Sequence, residues 1–357
     1  MARVGILGLP NVGKTTLFNA LTGLSAATAP HPFSTTEPNV GVARVPDERL
    51  ERAAHLEKSA KVVHATLDLL DLPAMAPGGA GFGPQFFGRL REMEAVAVVL
   101  RAFRSDSVPD TESGTDPVAQ AETLLLELTL ADAEVFSRRA ERTAKEATAD
   151  ASKRLAAEAF AKAAALLGEG IALRSTEWSE AQLEAFRDLA PLTLKPAVWV
   201  INVSEDAADP RALESAVAAV VPAEDVVVVV SALLEEEAAR LDPADRAELY
   251  EGLGLGEGAL SRVVRATYDA LGLISFFTVG PKESRAWTVR RGASAPEAAG
   301  KVHSDLERGF IRAEVASIDD VLAAGGWDGA KAAGKVRLEG KEYRVVEGDV
   351  LVVRFSV

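Results

Sequence analysis

Apolar residues gather in this chain in short, nearly continuous runs at 4–9, 62–71, 95–103, 196–201 and 225–231. Such runs have the character of strands buried on both faces, and the helical segments between them predict a mostly parallel sheet covered by helices. Residues 118–186 differ: they are rich in Ala, Glu, Lys and Leu, lack proline, and are broken mainly at Gly168 and Gly170. Leu124, Leu128, Ala131 and Val135 form one apolar stripe, and Leu155, Ala159, Ala163, Leu166 and Leu167 another. These stripes predict two helices folded back as an antiparallel hairpin inserted into the sheet domain; two ordinary covering helices would give the same spacing. After Gly272 the pattern shortens to strand-like segments at 274–279, 286–289, 341–346 and 350–355, with turns at Gly280-Pro281, 338–340 and 347–349. A helix starting at Ala295-Pro296 completes a small α+β domain. The expected organisation is an α/β sheet domain in two parts, 1–117 and 187–272, a helical hairpin at 118–186, and a second domain at 273–357.

The first apolar run leads into Gly8-Leu9-Pro10-Asn11-Val12-Gly13-Lys14-Thr15, a complete G-x-x-x-x-G-K-[ST] phosphate-binding loop. Gly8 and Gly13 are expected to let the backbone turn its N–H groups toward the phosphates. Lys14 would neutralise the β/γ oxygens and the Thr15 hydroxyl would ligate Mg²⁺. The helix expected from Thr15 onward places its positive dipole end on the same anion. The fold class that follows is a P-loop nucleotide-binding domain.

Composition narrows the chemistry further. With 357 residues, 48% hydrophobic and 26% charged, the chain can bury real cores. No run approaches the roughly 20 apolar residues of a membrane span and no signal peptide is evident, so a cytoplasmic protein is expected. The absence of cysteine excludes thiolate metal sites and cysteine nucleophiles, and four histidines leave little for imidazole clusters. A bound metal should therefore be Mg²⁺ held by oxygens, with His31 and His303 structural or superficial. A net charge of −14 argues against broad electrostatic binding of nucleic acid, although residues 281–315 are weakly basic.

A nucleotide switch needs a second metal-contacting hydroxyl, a carboxylate on the strand beside the loop, and a base reader. Thr35, within Pro32–Asn39, is the candidate hydroxyl, and Asp71, ending the second run, is the candidate carboxylate. Asn202, Val203 and Glu205 end the fourth run where guanine-binding proteins carry Asn-Lys-x-Asp; the Lys and Asp are missing. The Asn202 amide can satisfy the adenine N6 donor and N7 acceptor together, which tilts base preference to adenine. Ser231, Ala232 and Leu233 would close the base pocket with backbone amides.

These motifs extend into a resemblance covering nearly the whole chain. GLPNVGKTTLFNALTG at 8–23, PFSTTEPNVGVARVPD at 32–47, LTLKPAVWVINVSE at 192–205, the stretch from Phe276 to Val315, and RLEGKEYRVVEGDVLVVRFSV at 337–357 resemble the YchF / Obg-like ATPases of the Obg-related translation-factor class. The resemblance implies a nucleotide domain with an inserted helical hairpin, a C-terminal TGS domain of β-grasp fold, ATP preference, and association with the ribosome as 50S subunit or 70S particle. By position it implies phosphate contacts from Asn11, Val12, Gly13, Lys14, Thr15 and Thr16, and Mg²⁺ ligation by Thr15 and Thr35. It also implies a base pocket of Asn202, Val203, Glu205, Ser231 and Leu233.

Three departures bear on turnover. The family's Asp-x-x-Gly is Asp71-Leu72-Pro73-Ala74 here, and both Pro73 and Ala74 restrict the flip that Gly allows. The glycine-rich stretch at 78–85 looks shortened and lacks lysines, and the segment before Asp116-Pro117 lacks a histidine that many relatives carry. Met75, in keeping with the hydrophobic substitution of the resembled family, stands where a water-orienting glutamine would be. The expected activity is slow Mg²⁺-dependent ATP hydrolysis to ADP and phosphate, with Lys14 and Thr35 as catalytic groups, by a monomeric ribosome-associated switch. Asn11 marks a candidate K⁺ position. A GTPase of the wider Obg group and a nucleotide-binding interaction module with little turnover are the alternatives. Arg285, Trp287, Arg290 and Arg291 permit RNA contact through the C-terminal domain by charge and stacking.

Overall fold

The computed structural model describes residues 2–24, 39–73, 83–105, 108, 114–205, 207–252 and 258–356. The chain divides into two compact units, one of residues 1–42 and 68–270 and the other of residues 43–67 and 271–357.

The first unit is built on a six-stranded sheet of β1 (Arg3–Gly8), β2 (Asn39–Arg44), β4 (Thr66–Asp71), β5 (Ala95–Ala102), β6 (Ala197–Val203) and β7 (Val226–Val230). Its order is β2-β4-β1-β5-β6-β7, and β1 pairs in parallel with β4 and β5, as β6 does with β5 and β7. β6 is buried at every position and β5 at all but its last, which is why both read as continuous apolar runs rather than alternating ones. Helices α1 (Lys14–Thr22), α3 (Pro84–Arg91), α7 (Pro210–Ala218), α8 (Ala232–Ala238), α9 (Pro243–Gly252) and α10 (Ala259–Ala270) connect the strands.

The hairpin consists of α4 (Pro117–Ala149) and α5 (Arg154–Gly168), which pack on each other and are followed by α6 (Glu180–Phe186). Asp116 caps α4 by accepting the Val118 N–H, and Pro117 occupies the first turn, where its missing N–H costs nothing. The base of the hairpin has its own aromatic core, with Phe136, Phe160 and Phe186 at centroid separations of 5.2–5.7 Å. The buried stripe of α4 runs through Leu124, Leu128, Asp132 and Phe136 rather than through Ala131 and Val135, which are half-buried. Asp132 enters the interior because it is fully satisfied: it accepts from the Thr193 N–H (2.8 Å), the Thr193 hydroxyl (2.9 Å) and Arg91 Nη1 (3.0 Å). A hydropathy pattern treats that carboxylate as surface.

The second unit carries β3 (Val62–Val63), β8 (Leu273–Thr278), β9 (Ser284–Arg290), β10 (Phe310–Ser317), β11 (Arg337–Glu339) and β12 (Asp349–Phe355) in the order β11-β10-β12-β8-β9-β3. Counted from β8, the five C-terminal strands lie in the order 2-1-5-3-4, with first and fifth parallel and the hairpin pairs antiparallel. With α11 (Ala295–Val302) packed on β9 and β10, this is a β-grasp arrangement. A reciprocal capping box between Ser294 and Glu297 starts α11. Short helices α12 (Ser304–Arg308), α13 (Ile318–Ala323) and α14 (Trp327–Ala332) complete the C-terminal stretch.

Two sequence expectations change here. The run 62–71 is not one strand: Val62–Val63 pair with β9, whereas Thr66–Asp71 form β4 of the other sheet. The whole segment 43–67, including α2 (Glu48–Leu56), belongs with the C-terminal unit rather than with the nucleotide domain. Its ties are specific. Arg49 bonds Asp47 and Glu347 and lies over the Phe277 ring, Glu57 accepts the Trp327 N–H (2.6 Å), and the Ser59 hydroxyl donates to Gly280 O (2.8 Å). A truncation at residue 272 would strip α2 and β3 of these partners. Residues 341–346 form no strand, only a single bridge from Arg344 to Ser294, and the sheet position is taken by β10. β10 escaped notice because it carries Glu314, which is only 8% exposed but bonded to Arg354 (3.0 Å) and Lys331 (3.1 Å).

Candidate nucleotide-binding site

The site is assembled where β1 meets α1. Gly8 serves close packing rather than a turn: a Cβ there would lie 2.5 Å from the Val99 carbonyl oxygen on β5. The left-handed turn is made by Asn11 (φ 60°) and Gly13 (φ 92°). A Cβ on Gly13 would stand 2.3 Å from Asn202 Nδ2. No side chain caps α1 and no acidic residue sits in its first turn, so its N-terminal amides at Thr15 and Thr16 and its dipole are available to an anion.

Lys14 is 7% exposed, and its Nζ donates to the carbonyls of Gly8 (3.1 Å) and Leu9 (2.9 Å). Burial lowers its pKa to about 8, with the Asp71 charge opposing the shift. A bound polyphosphate favours the ammonium form, so above about pH 8 binding must take up a proton. Nucleotide affinity is therefore expected to be flat below that pH and to fall above it, approaching tenfold per pH unit. Titrations from pH 7 to 9.5 at constant Mg²⁺ would show this, and a flat profile would place Lys14 outside the phosphate contact.

Asp71, at the end of β4, is 5% exposed. Its Oδ2 accepts from the Thr15 hydroxyl (2.8 Å) and from Asn39 Nδ2 (3.4 Å), while its buried Oδ1 has no hydrogen-bond partner. An orphaned carboxylate oxygen beside a threonine hydroxyl is the donor set that a hydrated hard cation satisfies, so Thr15 and Asp71 fit Mg²⁺. Among the described residues no group of three or more His, Asp or Glu side chains could hold a metal, which leaves phosphate and water oxygens to complete such a shell. Asn39 is a neighbour that sequence reasoning placed in the loop but gave no role; a polar residue opening an otherwise apolar strand was its only signal.

At the far side, Asn202 is 5% exposed on β6. Its Nδ2 donates to Val12 O (3.0 Å) and its Oδ1 accepts the Ala232 N–H (3.0 Å). The expectation that both atoms serve adenine is thereby revised: one hydrogen and one lone pair already hold the phosphate loop to the β7–α8 turn, and one of each remains. The same bond occupies the Ala232 amide that was assigned to the base pocket. Ser231 caps α8 by accepting the Leu234 N–H (3.4 Å), Val203 is buried, and Leu233 is 58% exposed. Glu205 is exposed, with no hydrogen bond or ion pair among the described residues. All of these lie at the carboxyl ends of β6 and β7, the ligand-binding edge of an open α/β sheet.

A further positioning pair was not legible in the sequence. Gln120 of α4 bonds the backbone of Arg101 in both directions, accepting its N–H (2.8 Å) and donating to its carbonyl (2.9 Å). Arg101 is the β5 neighbour of Asn202. Thr35, His31, Ala74, Met75, the glycines at 78–81 and residues 109–113 lie outside the described residues. In the second unit, Trp287 does not offer an open stacking face. The Arg285 guanidinium covers it at 4.1 Å, Phe276 stacks near it at 6.4 Å, and its Nε1 donates to the Thr278 hydroxyl (2.9 Å). His303 is a helix cap, accepting the Asp305 N–H at 3.2 Å.

Known proteins resemble this chain over nearly its whole length. Residues 3–130 match a family model described as "50S ribosome-binding GTPase", and residues 273–356 match YchF-GTPase_C, described as "Protein of unknown function (DUF933)". The chain is 43% identical to "Ribosome-binding ATPase YchF" of Bacillus subtilis (strain 168), over 99% of each protein. It is 41% identical to the protein of the same name in Escherichia coli O157:H7, again over 99% of each. It is 35% identical to "Obg-like ATPase 1" of Oryza sativa subsp. japonica, over 99% of this chain and 92% of that one. The solved structure of the Schizosaccharomyces pombe YchF GTPase superposes with a TM-score of 0.86 at 29% identity, covering 99% of this chain and 97% of the other. No helix among the described residues is long and apolar enough to cross a membrane. With relatives this similar matched from end to end, the chain belongs to the YchF family.

Proposed function

We propose that this protein is a ribosome-binding, Mg²⁺-dependent ATPase of low intrinsic turnover. The observation that carries the reading is the Thr15–Asp71 pair with its unpartnered Oδ1, set beside Lys14 and an uncapped helix N-terminus. Mg²⁺, when bound, supplies neutralisation of charge on the β/γ phosphate oxygens. Lys14 exchanges its two loop carbonyls for phosphate oxygens, and the first-turn amides of α1 and the loop align the γ-phosphate. Thr35 is the proposed second hydroxyl at the metal. With Met75 in place of a glutamine and Pro73 after Asp71, nothing in the sequence around these positions offers a side chain to orient water, which supports slow hydrolysis. Asn11 is the proposed K⁺ position, and equal turnover in Na⁺ and K⁺ would remove it.

The names of the relatives divide between ATPase and GTPase, so the base has to be decided on the residues of this chain. Asn202 keeps one donor and one acceptor for the N7 and N6 edge of adenine, and Glu205 replaces the Asp that would accept from guanine. Paired titrations should give ATP at least about tenfold tighter than GTP, a difference of about 1.4 kcal/mol; the reverse order would make the protein a GTPase. Lys14→Ala is expected to lower ATP hydrolysis at least about a hundredfold, by the removal of a preorganised charge. Pro73 favours a second reading, a nucleotide-binding module without turnover, and hydrolysis that Lys14→Ala abolishes would dismiss it.

The names of the relatives support the ribosome as partner, and a monomer is the proposed acting species. Contact of the C-terminal unit with RNA would rest on the charges of Arg290 and Arg291, both exposed, and not on stacking by Trp287.

A further inference from the structure

Asp71 Oδ2 has two donors from different elements. The Thr15 hydroxyl reaches it from the first turn of α1 at 2.8 Å, and Asn39 Nδ2 reaches it from the start of β2 at 3.4 Å. A carboxylate offers no hydrogen, so the Asn39 atom facing it has to be the amide nitrogen. Donating its proton does not use the lone pairs of the Thr15 oxygen, by which a hydroxyl ligates a metal. With Oδ2 filled from both sides, Oδ1 is the oxygen left over, buried and without a hydrogen-bond partner among the described residues. Asn39 is half-buried, and the buried residues that follow it along β2 are Gly41 and Ala43, whose side chains cannot repeat its contact. Its amide also donates without carrying charge. A Lys or Arg there would neutralise Asp71 and an acid would repel it, whereas Asn39 leaves the carboxylate's full negative charge to a metal.

We propose that Asn39 is a positioning residue for the nucleotide's Mg²⁺: by holding Oδ2 it fixes the rotation of the Asp71 carboxylate in which Oδ1 stays free for the hydrated cation. The proposal rests on the Mg²⁺ reading above and adds a residue that acts only through Asp71. The terminal torsion of an Asp side chain is broad, so one hydrogen bond, from Thr15, leaves the carboxylate room to turn. A second donor from another element narrows it. Partners of this kind orient metal-binding carboxylates, and losing one costs about 10–100-fold in metal affinity. At 3.4 Å the Asn39 bond is long for N–H···O, which sets the expected effect at the lower end of that range.

The test measures binding, not turnover. An ATP analogue with a non-hydrolysable β,γ bond is titrated calorimetrically into the full chain and into Asn39→Leu, once with chelator and once with saturating Mg²⁺. By linkage, the gain in affinity that Mg²⁺ confers reports how tightly the site holds the metal. That gain should shrink about tenfold in Asn39→Leu, with affinity in chelator equal to the parent's. Asn39→Ser, too short to reach Asp71 but polar at the start of β2, should behave in the same way and decides the matter if the leucine variant does not fold. In an Asp71→Asn background the leucine substitution should have no further effect, because both changes act on one carboxylate. An undiminished Mg²⁺ gain would overturn the proposal. So would an equal loss with and without Mg²⁺, which would make Asn39 a structural residue of the pocket, or an undiminished effect in the Asp71→Asn background. A parent whose affinity does not respond to Mg²⁺ would instead remove the Mg²⁺ reading, and the role of Asn39 with it.

Discussion

Gly13→Ala is expected to reduce ATP affinity by about 10²–10³-fold while leaving the rest of the fold intact. Gly13 stands at φ 92°, where an L side chain costs about 1–2 kcal/mol, and its Cβ would lie 2.3 Å from Asn202 Nδ2. Relief requires Asn202 to withdraw from Val12 and Ala232, and each of those hydrogen bonds contributes about 1 kcal/mol. A free loop can relax away from the strain, but a bound nucleotide requires the original shape, so the energy reappears as lost affinity. Calorimetric titration of ATP measures it directly. Asn202→Ala and Gly13→Ala should be non-additive in a double-mutant cycle, because truncating Asn202 removes the atom that the Gly13 Cβ would strike, while the loss of its adenine contact remains. Parent-like affinity for Gly13→Ala would refute the coupling of the loop to Asn202.

The second large effect concerns stability. Asp132→Ala should destabilise the first unit by about 3 kcal/mol, the lower end of what removal of one partner from a buried ion pair costs. The side chain of Asp132 is fully buried and that of Arg91 20% exposed, and Arg91 keeps the Leu189 (3.0 Å) and Ala190 (3.2 Å) carbonyls after the change. Thr193 loses the acceptor for both its N–H and its hydroxyl. Asp132→Asn retains an acceptor for Thr193 and removes the charge, so it should lose less. Denaturant midpoints followed by fluorescence of Trp199, in the core of this unit, would read both variants. Equal stability of all three proteins would show that Arg91 and Thr193 find other partners.

Much of the site was legible because its chemistry is local. The phosphate loop, the helix behind it and Asp71 at a strand end are consecutive or nearly so, and residue type and spacing specify them. Asn202 was legible as a residue but not as a hinge pin, since its bonds to Val12 and Ala232 join positions 190 and 30 residues away. The same limit hid Gln120, a polar residue on an apolar helix stripe whose backbone pairing with Arg101 exists only once α4 lies against β5. Strand β10 and the burial of Asp132 were misjudged for one reason: hydropathy counts charge as surface, whereas a carboxylate with its hydrogen bonds filled can sit inside.

By itself, the amino-acid sequence determined that this chain binds a nucleotide phosphate, that a helical hairpin interrupts an α/β domain, and that a small α+β unit closes the chain. Those features depend on short-range periodicity and on residue types whose conformational freedom or charge is intrinsic. Only the tertiary structure decided that Val62–Val63 pair with β9 while Thr66–Asp71 join the other sheet, and with it that residues 43–67 belong to the second unit. An apolar run reports only that it is buried, and its partner strand is chosen by long-range pairing and side-chain contacts such as Arg49 with Glu347 and Glu57 with the Trp327 amide.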